Sequence, residues 1–360
     1  MVVTSAARSV KKRPVFQVLK RFFLLMASLL LSLQAQAAPT LFSRETPGPA
    51  ARVVIATDPD ATIAFQPQPE KVLALVNRGL LQLTGKTSLS LAWRTFVSSN
   101  DVVGIKVYSE PGANSGTRPS VVAAVVEGLI ASGIATNKII IWDKELTHLR
   151  LAGYGELADR LHVRIASASM AGFDEKHFYE SPLIGNLVWG DLEFGKKGVG
   201  IGRKSFVTKL VSTEITKIIS IVPLLNHNLA GTTGNLDSVA FGSVDNTQRF
   251  EQGERLATAL PEIYALPTVG DKVVLNITDA LLCQYQGEQR SLLHYSAVLN
   301  QIWLSKDPVA LDTLAIEELN KQRLVARVPP SKVNLEVYQN ASLLELGVSN
   351  LKSIQIENAP

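Results

Sequence analysis

The chain holds a single cysteine, Cys283, among 360 residues. One thiol cannot close an internal disulfide, and it cannot hold a four-cysteine iron–sulfur cluster, so neither is expected. Other signatures are missing as well. There is no His-Glu-x-x-His, no Gly-x-Ser-x-Gly, no phosphate-binding Gly-x-x-x-x-Gly-Lys-Ser/Thr and no Gly-x-Gly-x-x-Gly behind a strand. Zincin, α/β-hydrolase, P-loop and dinucleotide readings therefore lose their direct support. No stretch reaches the roughly 20 apolar residues that a spanning helix requires.

Acidic residues are absent from positions 1–37, where Arg8, Lys11, Lys12, Arg13, Lys20 and Arg21 lie. Discounting that segment from the 36 basic and 32 acidic residues leaves 30 against 32, a net charge of −2. The apparent basicity is thus local, and a nucleic-acid partner is not expected. The basic cluster, the apolar run over 22–33 and Ala35-Gln36-Ala37 are the three parts of a secretory signal peptide. Residues 1–37 are read as that signal. The mature protein is expected to be exported, periplasmic or secreted, with no membrane association once the signal is removed. In that setting Cys283, which follows a strand-like run, reads as a buried and inert thiol.

Residues 38–51 carry Pro, Gly and Ser/Thr and read as a flexible lead-in. No linker composition follows, so 52–360 is expected to be a single α/β domain. Short apolar strands are expected at 52–56, 101–107, 138–142, 163–165, 218–222, 272–277, 301–304 and 353–356, with Pro223 ending the fifth. Apolar residues three and four apart, with glycine stops, predict helices over 69–83, 119–131, 151–161, 308–321 and 335–346. Continuous apolar strands between amphipathic helices predict a mostly parallel sheet covered by helices on both faces. Residues 173–202 do not alternate in this way and are read as a small β-rich insertion, an antiparallel hairpin.

Ligands of open α/β sheets bind beyond the carboxyl ends of the strands, which directs attention to the segments behind them. The run from Lys106 through Ser115, Gly116, Thr117 and Arg118 to Pro119 joins a strand-end lysine to a loop and a helix start. Free amides and the helix dipole suit an anion there, with Arg118 as a bidentate clamp. As a loop residue, Arg118 is expected to carry little stability. Asn226 and His227 follow another strand and precede a Gly/Thr segment, suiting an acid/base or ligand imidazole. The remaining histidines, His148, His162, His177 and His294, sit in no comparable constellation. Asp143, Asp279 and Asp307 follow three further strands and are expected to converge on one crevice, for hard-metal ligation or general base work. Asp307 also precedes Pro308 and a helix, which suits an N-cap. Asp312 lies within that helix.

Several of these segments, taken together and in order, resemble the domain-of-unknown-function 362 family. They are Lys106 with Thr117-Arg118-Pro119, Ile139-Ile140-Ile141-Trp142-Asp143, Val222-Pro223-Leu224-Leu225-Asn226-His227 with Gly231-Thr232-Thr233, and Asp279 with Gly287. The most specific is Leu304-Ser305-Lys306-Asp307-Pro308-Val309-Ala310-Leu311-Asp312. The resemblance implies no settled activity, since the family has none in general; some members carry ferredoxin segments and many are exported. This chain departs from the pattern at Leu225, where a lysine is usual, and at Asp237-Ser238, where a Lys-Asn pair is usual. Two readings follow. One is an exported α/β protein that binds an anionic small molecule at the carboxyl ends of its strands, with acid/base or metal-assisted chemistry from His227, Asp143 and Asp279. Its ligand-binding residues are Lys106, Ser115, Gly116, Thr117, Arg118, Asn226 and Asp307. The other is a non-catalytic exported binding or accessory protein. The cofactor, if any, is unknown.

Overall fold

Strands with every residue buried need a packed layer on each side. That is the state of β4 (Val103–Val107) and β5 (Ile139–Asp143) in the main sheet of this protein. The computed structural model describes residues 51–181, 203–250, 254–329 and 333–360. Residues 1–37, expected to be a signal segment, and all of the expected lead-in but Ala51 lie outside the described residues.

The main sheet also contains β1 (Ala51–Thr57), β6 (Arg164–Ser167), β9 (Lys217–His227), β11 (Val273–Gln284), β12 (Ser296–Ser305) and β13 (Ile354–Ala359). Its order is β13-β1-β12-β11-β9-β4-β5-β6, with β10 (Gly231–Thr232) folded back antiparallel on β9. β6, β5, β4, β9 and β11 are mutually parallel. β12 is antiparallel to both β11 and β1, while β13 is parallel to β1. The fold is therefore α/β with a mostly parallel sheet. A two-residue pair, β2 (Thr62–Ile63) and β3 (Gln66–Pro67), stands apart from it.

Alternation along β5 separates two cores. Ile139 and Ile141 pack with α1 (Pro69–Thr84), α2 (Leu89–Trp93) and α3 (Pro119–Ala131), and with α4 (Leu146–Leu151) and α5 (Tyr154–Leu161). Ile140 and Trp142 pack with α7 (Asn235–Gly242), α8 (Glu254–Tyr264), α9 (Pro308–Val325) and α10 (Glu336–Leu343). A short α6 (Ala168–Ala171) precedes β7 (Phe173–Glu180), which pairs antiparallel with β8 (Lys204–Thr208). The expected hairpin is thus present in part. Its second strand lies past the expected limit of 202, and residues 182–202 lie outside the described residues. No helix among the described residues is long and apolar enough to cross a membrane.

Three elements differ from the sequence expectation. The helix expected over 151–161 begins only at Tyr154, behind Gly153, whose φ of 88° only glycine adopts without strain, and a separate short helix ends at Leu151. Pro223 does not end β9, which continues to His227. The pairing with β11 is irregular between Asp279 and Cys283, directly beyond the Asp279–Pro223 pair, where a proline without an N–H is tolerated. β11 likewise continues to Gln284, which puts Asp279 in mid-strand instead of at an end.

Candidate functional site

Because β4, β5 and β9 are parallel, their carboxyl ends share one edge of the sheet. Lys106 sits near the end of β4, and Asp143 and His227 are the last residues of β5 and β9. Lys106 is only 1% exposed. Its ammonium donates to Asp143 Oδ1 at 2.8 Å, Ser238 Oγ at 3.0 Å and the Val107 carbonyl at 2.7 Å. Those three bonds use every donor it has. Asp143 also accepts from the Lys144 amide on Oδ1 and from the Ser109 amide and hydroxyl on Oδ2. Burial pushes the Asp143 carboxyl up, but the Lys106 charge and the donated hydrogen bonds outweigh it and hold it below the ordinary range. The pair is an anchored ion pair, and Asp143 has the wrong properties for a general base near neutral pH.

A cavity of about 530 Å³ opens over this pair. Its wall comes from Tyr108 and Glu110 behind β4, Lys144, Glu145 and His148 behind β5, His227 and Leu229 behind β9, Asp237, Ser238 and Phe241 of α7, and Glu288 and Gln289 behind β11. His227 Nδ1 accepts from the Leu229 and Ala230 amides at 3.3 and 3.0 Å. The hydrogen bonding assigns the ring proton to Nε2, leaving Nε2–H as the donor available at the cavity wall. Asp237 stands in the first turn of α7 and receives no hydrogen bond among the described residues. Burial raises its carboxyl above the ordinary range against the pull of His227, Lys106 and Lys144. Burial raises Glu110 as well. Among the described residues no three His, Cys, Asp or Glu side chains converge as metal ligands.

The structure does not bring the other expected residues into this cavity. Arg118 donates from its amide to Asp279 Oδ2 at 3.0 Å and from its guanidinium to Asp279 Oδ1 at 2.9 Å and the Asn114 carbonyl at 3.0 Å. Both partners are buried. The helix start offered by α3 is therefore occupied by the protein's own carboxylate, and Arg118 is a buried ion-pair partner instead of an anion clamp in a loop. Thr117 donates to the Ile221 carbonyl and accepts from the Tyr108 amide. A Cβ on Gly116 would lie 2.7 Å from the carbonyls of Gly112 and Tyr108, so that glycine serves a close backbone approach. Ser115 meets Ser291 at 3.1 Å. Asn226 accepts from the Glu288 amide and donates to Asn228, bracing the wall that carries Glu288. Asp307 lies at the opposite edge because β12 runs antiparallel. It caps α9 through the Ala310 amide at 2.8 Å and also accepts from Val348.

Residues 103–317 match the family model described as Domain of unknown function (DUF362), more than half of the chain. The chain belongs to that family. The DUF362 match begins at the first residue of β4 and ends within α9, so it takes in both the crevice and the Arg118–Asp279 pair. No curated protein matches the chain. A crystal structure of a Thermotoga maritima protein from a structural genomics programme is similar at 13% identity with a TM-score of 0.39. The alignment covers 73% of this chain and 60% of that one, so the chain spans less than two thirds of its length.

Sequence reasoning did not place Tyr108, Glu110, Lys144 or Glu288 in the site, set His148 aside and met Asp237 only as a departure from the family pattern, yet all six lie on the cavity wall. Lys144 and Glu145 could have been found, since they directly follow a strand-end aspartate. His148 and Asp237 belong to helices whose approach to the crevice depends on packing.

Proposed function

We propose that this DUF362 chain binds a small molecule carrying an anionic group in the crevice at the carboxyl edge of its sheet, and that Asp237 and His227 move a proton on the bound molecule. The observation that carries this reading is the Asp237 carboxyl, which faces the cavity with no hydrogen-bond partner among the described residues and is raised by burial toward the range of a working acid or base. Lys144, His148 and His227 bring N–H groups to the same wall, while Lys106 and Asp143 cancel each other. Burial raises the Glu110 and Asp237 carboxyls above the ordinary carboxylate range. The same reading takes the chain to be exported, on the strength of its basic, apolar and Ala-x-Ala segments.

Thermal melting of the full chain against phosphate, acetate and small dicarboxylates tests the binding, because a ligand of the native state raises the melting temperature. A rise in the wild type that is lost in His227→Ala and Lys144→Ala supports the crevice; equal rises in all three proteins reject it. A non-catalytic binding protein is the second reading, favoured by the complete satisfaction of Lys106 and Asp143. Exchange of a hydrogen of the stabilising anion with D2O, followed by NMR and lost in Asp237→Asn, separates the two. Binding without exchange leaves the non-catalytic reading.

A further inference from the structure

The crevice has an apolar side that a bare anion would leave unused. Leu229 behind β9, Phe241 of α7 and Leu256 of α8 all line it. Leu256 belongs to the core on that side of the sheet, and Leu229 and Phe241 pack against the same core. The volume of about 530 Å³ falls within the roughly 300–1,000 Å³ of pockets that enclose organic ligands. Phosphate or acetate would fill only a small part of it and would leave the apolar wall against water.

The Phe241 ring ends a tier of aromatic side chains. Phe250 stacks on it, with centroids 6.1 Å apart and planes 21° apart. Tyr179 of β7 meets Phe250 edge-on at 5.7 Å, and the Arg249 guanidinium carbon lies 4.4 Å from the Phe250 centroid. Phe250 and Tyr179 are buried, whereas Phe241 is half-buried and reaches the cavity. An aromatic surface backed in this way favours a further ring, stacked or edge-on, beyond the gain from the area it buries.

Helical spacing ties that surface to the acid of the crevice. Asp237 and Phe241 are four residues apart on α7, so they stand one turn from each other on one face, and both line the cavity. The N–H groups of Lys144 and His148 come from behind β5, and that of His227 from the end of β9. Resting on the reading of the crevice as an anion site, we propose that its ligand is an aromatic carboxylate: the ring packs on Phe241 with Leu229 and Leu256, and the carboxylate meets the N–H groups of His227, Lys144 and His148. Phe241 is then the residue that sets specificity. The carbon joining ring to carboxylate lies beside Asp237.

The probes are phenylacetate, cyclohexylacetate and acetate, whose affinities for the full chain are read from the rise of its melting temperature with concentration. Phenylacetate should bind the wild type at least about tenfold more tightly than acetate, and more tightly than cyclohexylacetate. Phe241→Leu should cut the preference over acetate at least about threefold, and Phe241→Tyr should keep it. Equal affinities for phenylacetate and acetate, a preference that Phe241→Leu leaves intact, or cyclohexylacetate bound as tightly as phenylacetate would each overturn the proposal. If acetate binding is nevertheless lost in His227→Ala, the anion site stands and only its substrate class falls. Binding that His227→Ala and Lys144→Ala both leave intact fails the anion site itself, and the proposal with it. Should Phe241→Leu fail to fold, the wild type labelled with 13C-phenylalanine carries the test: nuclear Overhauser effects should join the ring protons of bound phenylacetate to the Phe241 ring, and their absence would equally overturn it.

Discussion

Two of the helices whose N-cap residues give no side-chain cap are met there by an aspartate from a distant element, and they end in opposite states. α3 starts behind Arg118 and α7 behind Gly234. At α3, Asp279 from β11 accepts the amide of Arg118, the N-cap residue itself, and at α7 Asp312 from α9 accepts the Asn235 and Leu236 amides. At α3 the N-cap arginine itself pairs with that same aspartate, so charge is balanced inside the fold and the place is sealed. At α7 the capping aspartate stands alone, and the neighbouring Asp237 is left facing a cavity. An aspartate at a helix start is thus charge-balanced by an arginine at α3 and held by amides without a cation at α7.

The largest effect should come from breaking the sealed joint. Arg118→Ala leaves Asp279 buried and unpaired, and urea denaturation should show a loss of about 3–5 kcal/mol. Replacing both partners, Arg118→Met with Asp279→Leu, should recover most of it, because two apolar groups need no compensation. A loss below about 1 kcal/mol for the single variant would remove the contrast.

The pH dependence of stability should have opposite signs at Asp143 below the cavity and at the buried Asp312. Asp143 is held below its ordinary value, so its contribution is present above about pH 4 and is lost as the pH falls further. Asp312 is raised to about 7, so the folded chain keeps a proton that the unfolded chain releases from about pH 4 upward. Stability should therefore fall between about pH 4 and about 7, by at most about 1.4 kcal/mol per pH unit from this group. Asp312→Asn should flatten that fall, as read from denaturation midpoints across the range.

A smaller effect is expected from Gly242→Ala. Its new methyl meets the Lys106 stem at 2.2 Å, and that stem is fixed by three hydrogen bonds. A cost of about 1–3 kcal/mol, with loss of any anion-induced rise in melting temperature, is the expected outcome. The smallest effect belongs to Ser115→Ala, which loses only the contact with Ser291 and should change stability by about 0.5 kcal/mol with anion binding unchanged.

How much of this was legible in the sequence follows from how local each signal is. Strand identity and the parallel sheet were readable because Ile139-Ile140-Ile141-Trp142 and its neighbours are buried on both faces and alternate with helices. The same rule brought Lys106, Asp143 and His227 to one edge. It failed for Asp307, because nothing in 301–304 shows that β12 runs against its neighbours. It also failed for Arg118 and Asp279, whose residue types suit a ligand and an internal partner equally well. Asp237 and Asp312 were not readable as a pair, since their relation depends on α9 packing against the start of α7.

The most direct measurement is a crystal structure of the chain soaked with the anion that raises its melting temperature most. The account predicts ligand density in the crevice, against Lys144, His148 and His227, with the Asp237 carboxyl in contact and the Arg118–Asp279 pair unchanged. An empty crevice, with the anion bound at Arg118 or elsewhere on the surface, would contradict it.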